Sequence, residues 1–393
     1  MKCNYKPSTL PNTRIDVADV LRGIALAGIL LIHAIEHFNF YSFPAPASEF
    51  MAKLDQGVWD TIFFVLAGKM YAIFAVMFGL SFFIQHDNQA QKGKDFRLRF
   101  AWRLVLLFCF GLFDLCFYNG DILTVYAVCG FFVIPLIRAS NKVLLAVFAL
   151  LIIQPIELGY IIAALFNPEL TPLNLGSGGY FGGMMAAQAG PSFFECLKVS
   201  VSKGLPCNFL WAIENGRLTQ TIYLFIVGIY LGRQRLFYNE GNNLQIWKKV
   251  LLWGTVGFAV LWPAYAFLPG LAENGTIANS LTVMLNMWKN FAMMLMIVSG
   301  VVLLFYNREK ARKNLMKISY FGKMSLSNYI LSGILGSFLF YGWGLALHLT
   351  CRHTVSALIG AGLLILQMVF SYYWFRNHKR GPLESIWRKL TWL

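Results

Sequence analysis

Apolar residues along this chain gather into ten long runs, at roughly 17–40, 57–85, 98–118, 121–138, 142–166, 217–238, 247–268, 277–306, 322–346 and 354–375. A helix needs about 20 such residues to cross the hydrocarbon core of a bilayer. The pattern therefore predicts an all-α fold, a polytopic membrane helical bundle of about ten transmembrane helices. The first run starts late and continues without a small-residue cleavage site, so it reads as a retained helix and not as a signal peptide. The expected organisation is a single membrane domain over 1–393, with a five-helix half at 1–166, a long extracytoplasmic loop at 167–216 and a second five-helix half at 217–393. That loop holds GSGGYFGGMM and PSFFECLKVSVSKGL, the second of which reads as a helix lying on the outer surface. Long loops of this kind often serve as lids or binding loops. Asn119-Gly120-Asp121 makes a tight hairpin between the third and fourth runs. No transporter-like inverted repeat is evident.

Composition agrees: 58% of the residues are hydrophobic and 13% charged, against about 25% charged in soluble domains. A net charge of +15 would suit a nucleic-acid binder, but the basic residues are spread over six short segments between apolar runs. That is how a membrane protein marks its cytoplasmic side. These segments, which include Lys2, Lys6 and Arg14 at one end and Arg376, Lys379, Arg380, Arg388 and Lys389 at the other, alternate with connections poor in Lys and Arg. Both termini are therefore predicted to be cytoplasmic. The seven cysteines are an odd number without metal-site spacing. Cys109, Cys116 and Cys129 read as small packing residues, and Cys196 with Cys207 as a candidate disulfide if their loop is outside the cytosol.

Candidate chemistry starts in the first run, DVLRGIALAGILLIHAIEHF. Ionisable groups at membrane depth are costly and mark functional sites by default. Arg22 and His33 are eleven residues apart, so on a helix they share a face and lie about 16 Å apart along the axis. Asp19, Glu36 and His37 fall within about 60° of Arg22. Arg22 and Asp19 read either as an interfacial pair or as a site for an anionic cytosolic ligand. His33 and His37 read either as structural hydrogen-bonding groups or as acid/base or nucleophilic residues oriented by Glu36. HAIEH also fits the H-x-x-E-H zinc motif; nothing here supplies the soluble catalytic fold and further acidic ligand, and no metal is expected. Lys69 lies deep in GKMYAIFAVMFGLSF, with Asp114 as a candidate counter-charge. Asp121 reads as an N-cap of the fourth helix. Glu157, Glu214, Arg217 and Lys289 are further polar residues of the outer half or the bundle interior. Ser325, Asn328 and Ser332 sit near one face of the ninth run, to bind a ligand or to join helices.

Five stretches together resemble the YeiB-type family of bacterial inner-membrane proteins. They are RGIALAGILLIH, GKMYAIFAVMFGLSF, NGDILTVYAVCGFFVIPLIR, IVGIYLGRQRLF, and the region from YFGKMSLSNYILSG to WFRNHKRGPLESIWRKLTWL. They follow the family's order over nearly the whole chain. That family is similar to a wider group of transmembrane acyltransferases, which includes heparan-α-glucosaminide N-acetyltransferase and bacterial glycan O-acyltransferases. The resemblance implies transfer of an acyl group from cytosolic acyl-CoA, acetyl-CoA foremost, to an acceptor such as a glycan across the inner membrane, with membrane lipids as surroundings. Fitted to that scheme, His33, His37 and Glu36 are the expected catalytic residues, Arg22, Lys69, Ser325 and Asn328 the expected acyl-CoA ligands, and Asp114, Asp121 and Arg217 an expected polar substrate path. Two positions depart from the pattern. Gln56 precedes Trp59-Asp60 where the lysosomal enzyme has histidine, and Asp114 stands where the family commonly has one, so the base falls to His33 or His37. The alternatives are a transporter, flippase or channel that uses Lys69, Asp114 and the histidines as a path, and a non-enzymatic scaffold.

Overall fold

A computed structural model describes residues 7–393. Lys2 and Lys6 lie outside the described residues. The chain forms α1 (Asp16–Ile35), α2 (Glu49–Leu66), α3 (Lys69–Ala90), α4 (Arg97–Leu115), α5 (Leu123–Val133), α6 (Asn141–Ile152) and α7 (Pro155–Phe166). Three short helices follow, α8 (Ser177–Ala189), α9 (Phe193–Val199) and α10 (Leu205–Glu214). The remainder is α11 (Arg217–Arg233), α12 (Asn243–Phe267), α13 (Gly275–Asn307), α14 (Glu309–Lys323), α15 (Ser325–Phe340), α16 (His353–Asn377) and α17 (Pro382–Thr391). No strand occurs among the described residues, and the fold is an all-α membrane bundle.

Each of the ten apolar runs is helical. By length and composition, five stretches are long and apolar enough to cross a membrane: α1, α2 with α3, α12, α13 and α16. The pair α6–α7, bent by 45°, makes a sixth if it counts as one span. The bend follows from Gln154 in a left-handed conformation (φ 54°) and from Pro155, which cannot continue the hydrogen bonding of the preceding helix. α5 and α15 are apolar but shorter, and α5, at 11 residues, spans only about 17 Å.

The helices divide into a packed interior and a lipid-facing periphery. In α1, 72% of the most apolar stretch is buried, and in α12 only 6%. Val17, Leu21, Ala25, Leu26 and Leu30 of α1 are buried in the core. Trp253 and Val260 of α12 are 69% and 65% exposed. Apolar surface on that scale suits lipid and not water. One hydrophobic core joins side chains of α1, α3, α4, α5, α11, α13 and α15. α17 folds back across α4, where the Trp387 indole donates to the Arg103 carbonyl at 3.1 Å and the Trp102 indole to the Leu390 carbonyl at 2.9 Å.

The segment expected as a long loop at 167–216 is largely helical. Ser192 accepts a hydrogen bond from the Glu195 amide at 3.3 Å, so Ser192-Phe-Phe-Glu195 caps α9 with the S-x-x-E pattern. Gln188 of α8 donates to the Tyr341 hydroxyl at 2.9 Å, and Asn208 of α10 to the Asp121 carbonyl at 3.1 Å. Those bonds tie the three short helices down onto the bundle. The candidate disulfide is absent: Cys196 and Cys207 are separate buried thiols. Cys196 packs in a cluster with Phe40, Tyr118 and Tyr341, whereas Cys207 faces the Ser177 carbonyl at 3.6 Å.

Candidate functional site

Two chambers lie along α1, one at each end. At the Arg22 end a cavity of about 710 Å³ is lined by Arg14, Arg22, Arg103, Lys323 and Arg388, against the two carboxylates Asp19 and Glu384. It adjoins a vestibule of about 1100 Å³, where Lys92, Lys379 and Arg380 add further charge. Both acids are already engaged. Asp19 accepts from Arg14 Nε and from Arg22 Nη1, each at 2.9 Å. Glu384 accepts from the Leu326 and Ser327 amides at 2.8 and 3.1 Å and from the Ser327 hydroxyl at 2.6 Å, which caps α15. Burial pushes the Glu384 carboxyl up, against these hydrogen bonds, which pull it down. Burial pushes the Lys323 ammonium down, and Arg14 beside it adds to the shift. Arg22 also donates to the Ser81 hydroxyl, and Arg103 lies 4.0 Å over the Trp387 ring. The surplus of cations around a concave wall focuses positive potential and suits an anionic ligand.

At the other end of α1 a cavity of about 360 Å³ is lined by His33, Glu36, Tyr41, Tyr71, Tyr118, Asp121, Trp211, Arg217 and Tyr329. The Tyr118 hydroxyl lies 2.9 Å from His33 Nδ1, and a Glu36 carboxylate oxygen lies 3.7 Å from the same nitrogen. Asp121 accepts from the Leu123 and Thr124 amides at 2.9 and 2.8 Å and so caps α5 while it lines the chamber. The helices α8 and α10 cover this chamber with Phe181, Asn208 and Trp211.

The two chambers are close neighbours. At the start of α5, Leu123 and Tyr126 face the Arg22 chamber, while Val125 and Ile122, the residue before the helix, face the His33 chamber. On α3, Phe74 lines the first and Tyr71 the second. The Tyr126 hydroxyl donates to the Tyr71 carbonyl at 3.0 Å, and the Tyr329 hydroxyl accepts from the Ile122 amide at 3.2 Å. The two linings therefore use neighbouring residues of α3 and of the start of α5.

Several sequence candidates lie elsewhere. His37 is buried outside both chambers, with Nδ1 2.9 Å from the Ser42 carbonyl and Nε2 2.8 Å from the Ser356 hydroxyl. The helical projection that grouped it with His33 stops applying because α1 ends at Ile35 and His37, Phe38 and Asn39 turn left-handed, at φ 50°, 56° and 67°. Lys69 donates to the Phe64 carbonyl at 2.6 Å, at the carbonyl end of α2, and forms no ion pair with Asp114. Both carboxylate oxygens of Asp114 are buried without a hydrogen-bond partner among the described residues. Ser325 lines the Arg22 chamber. Asn328 instead donates to the Phe321 carbonyl at 3.1 Å and to the Ser371 hydroxyl at 2.9 Å, which ties α15 to α14 and α16. Among the described residues no three His, Cys, Asp or Glu side chains gather as a metal site. The residues that sequence reading missed are the chamber tyrosines and Trp211, which carry no periodic signal. Arg103, Lys323 and Arg388 belong in sequence to the basic segments that mark topology, and only the fold makes them one wall.

Tyr118 is placed by a close approach. A Cβ on Gly120 would overlap the Tyr118 hydroxyl. Gly120→Ala is therefore expected to push this ring off His33 and to lower stability by about 1–3 kcal/mol. Tyr118→Phe, which loses only the hydrogen bond, should cost about 0.5–1.5 kcal/mol. Thermal melts of the detergent-solubilised protein compare the two, and a neutral Gly120→Ala would contradict the overlap.

The fold and its two chambers define a helical membrane protein built around one polar helix. Comparison with known proteins then supports the YeiB-type family. Residues 231–393 match the family model described as "Protein of unknown function (DUF418)". Over almost the whole chain, the protein is similar to "Uncharacterized protein YxaH" of Bacillus subtilis (strain 168), with 26% identity covering 98% of this chain and 96% of the relative. It is similar to "Uncharacterized 39.9 kDa protein in amylase 3'region" of Bacillus acidopullulyticus, at 25% identity over 96% and 94% of the two chains. It is also similar to "Uncharacterized protein YeiB" of Escherichia coli (strain K12), at 23% identity over 95% of each.

Proposed function

We propose that this protein is a transmembrane acyltransferase of the bacterial inner membrane. It moves an acyl group, acetyl in the simplest case, from cytosolic acyl-CoA in the Arg22 chamber to an acceptor in the His33 chamber. The observation that carries this reading is the pairing of a basic chamber with a histidine–carboxylate chamber at the two ends of α1, lined in part by neighbouring residues of α3 and the start of α5. Cytoplasmic termini, as the spread of Lys and Arg predicts, would put the Lys- and Arg-rich vestibule in the cytosol. The CoA phosphates are then held by Arg14, Arg22, Lys323 and Arg388, and the flexible thioester arm passes between the chambers near Tyr126 and Tyr329. His33, oriented by Glu36, takes the proton of an acceptor hydroxyl or amine. The acceptor atom bonds to the thioester carbonyl carbon, the C–S bond breaks, and the departing thiolate recovers the proton from the imidazolium.

The purified full-length protein tests this with acetyl-CoA alone. A ligand at a hundred times its Kd stabilises the folded state by about 2.7 kcal/mol, so a rising melting temperature with millimolar acetyl-CoA is expected. Arg22→Gln should weaken the binding roughly tenfold, the loss of one charge-assisted contact. Absence of any stabilisation of the unmodified protein overturns the enzyme reading. A transporter is the second reading, favoured by the broken helix pair α6–α7, where both Glu157 carboxylate oxygens are buried without a hydrogen-bond partner among the described residues. Interrupted helices with unpaired polar groups are a feature of transport sites.

A further inference from the structure

The transfer chemistry leaves Arg217 without a task. This side chain opens α11 and lines the His33 chamber. Its Nη1 donates to Gln220 Oε1 at 2.8 Å, and among the described residues no carboxylate lies within ion-pair distance of it. The two acids of the same chamber are committed elsewhere, Glu36 beside His33 and Asp121 to the α5 amides. A charge held inside a membrane protein without a counter-charge is unfavourable until a partner completes it.

The backbone adds to the same field. The helices α3, α5 and α11 all begin at this chamber, with Gly68, Ile122 and Arg217 in its wall. α3 and α11 start alike, each through a left-handed glycine followed by a cation: Gly68 (φ 77°) before Lys69, and Gly216 (φ 63°) before Arg217. Helix N-termini carry partial positive charge and favour anions. The rings of Tyr71 and Trp211 lie 5.4 and 6.0 Å from the Arg217 guanidinium, so aromatic faces flank the charge. A planar guanidinium held in this way recognises an oxyanion through paired hydrogen bonds.

We propose that the His33 chamber selects an acceptor bearing an anionic oxygen group, a phosphate or carboxylate, which Arg217 binds while the acceptor hydroxyl or amine lies at His33. The word acceptor rests on the acyl-transfer reading; the anion site does not.

The test uses the full-length protein in neutral detergent, with glucose 1-phosphate, glucuronate and glucose compared at equal concentration by thermal shift. The two charged sugars should stabilise the protein and glucose should not. Arg217→Gln should erase this difference, and Arg217→Lys should keep part of it. A lipid source of the anion is read in nanodiscs: stabilisation by phosphatidylglycerol over phosphatidylcholine that disappears in Arg217→Gln assigns the site to a headgroup. Equal responses to charged and neutral sugars with no Arg217-dependent lipid effect overturn the proposal, as does a charged-ligand effect that survives Arg217→Gln. The comparison of sugars on the unmodified protein stands even if Arg217→Gln does not fold. Acetyl-CoA binding reads the Arg22 chamber separately, so its failure with the anion response intact sinks acyl transfer and not this site.

Discussion

Replacing His33 by alanine is expected to abolish acyl transfer while acetyl-CoA still binds. Among the described residues His33 is the one histidine that lines its chamber, and its Nδ1 faces both Tyr118 and Glu36. A positioned general base contributes about 10²–10⁴-fold to a rate, so the loss should be of that order. His37→Ala should behave in the opposite way. Its two ring nitrogens bridge Ser42 and Ser356, so its removal leaves the buried Ser356 hydroxyl unpaired at about 1–3 kcal/mol, with the rate per folded molecule little changed. Transfer assays in proteoliposomes, with melting curves of the same preparations, separate the two effects. Retained transfer in His33→Ala would remove the proposed base, and full loss in a stably folded His37→Ala would reassign it.

The largest stability effect is expected where α3 crosses α11. A Cβ on Gly228 would overlap the Val76 carbonyl oxygen, and one on Gly79 the Phe225 carbonyl oxygen. These are backbone atoms of regular helices and cannot rotate aside, so even a methyl group must force the helices apart. Such overpacking costs about 1–3 kcal/mol for small insertions, and Gly228→Leu should leave no folded protein. The crossing also supports the chamber, since the Tyr71 hydroxyl donates to the Arg217 carbonyl at 3.3 Å across it. Gly300 of α13 is the control: a Cβ there meets nothing within 4 Å, so Gly300→Ala should be neutral or stabilising by about 0.5–1 kcal/mol. Size-exclusion profiles and melts of the variants check this, and a well-folded Gly228→Leu would contradict the packing.

The chain by itself determined what depends on near neighbours. Apolar runs of membrane length made the helices, and the stripe from Asp19 to Glu36 held because those residues lie on or next to one regular helix. It failed at His37, one residue further on, where the backbone turns left-handed and helical periodicity no longer says where a side chain points. The helix read at PSFFECLKVSVSKGL is present as α9 and its continuation, starting at the cap that Ser192 makes with the Glu195 amide.

Only the tertiary structure decided which runs are interior. α1 and α12 both hold an apolar stretch long enough to cross a membrane, yet one stretch is mostly buried and the other almost bare, because lipid and protein interior are equally apolar and apolar length alone does not tell them apart. The same holds for charge. Arg103, Lys323 and Arg388 lie far apart along the chain and become one site with Arg22 only when α4, α14 and α17 converge on α1. Lys69 and Asn328 show the converse, since their nearest carbonyls already satisfy them away from the chambers. Local hydrogen bonding and hydrophobicity are written residue by residue; the meeting of distant helices depends on which side-chain surfaces fit, and that is settled only by packing.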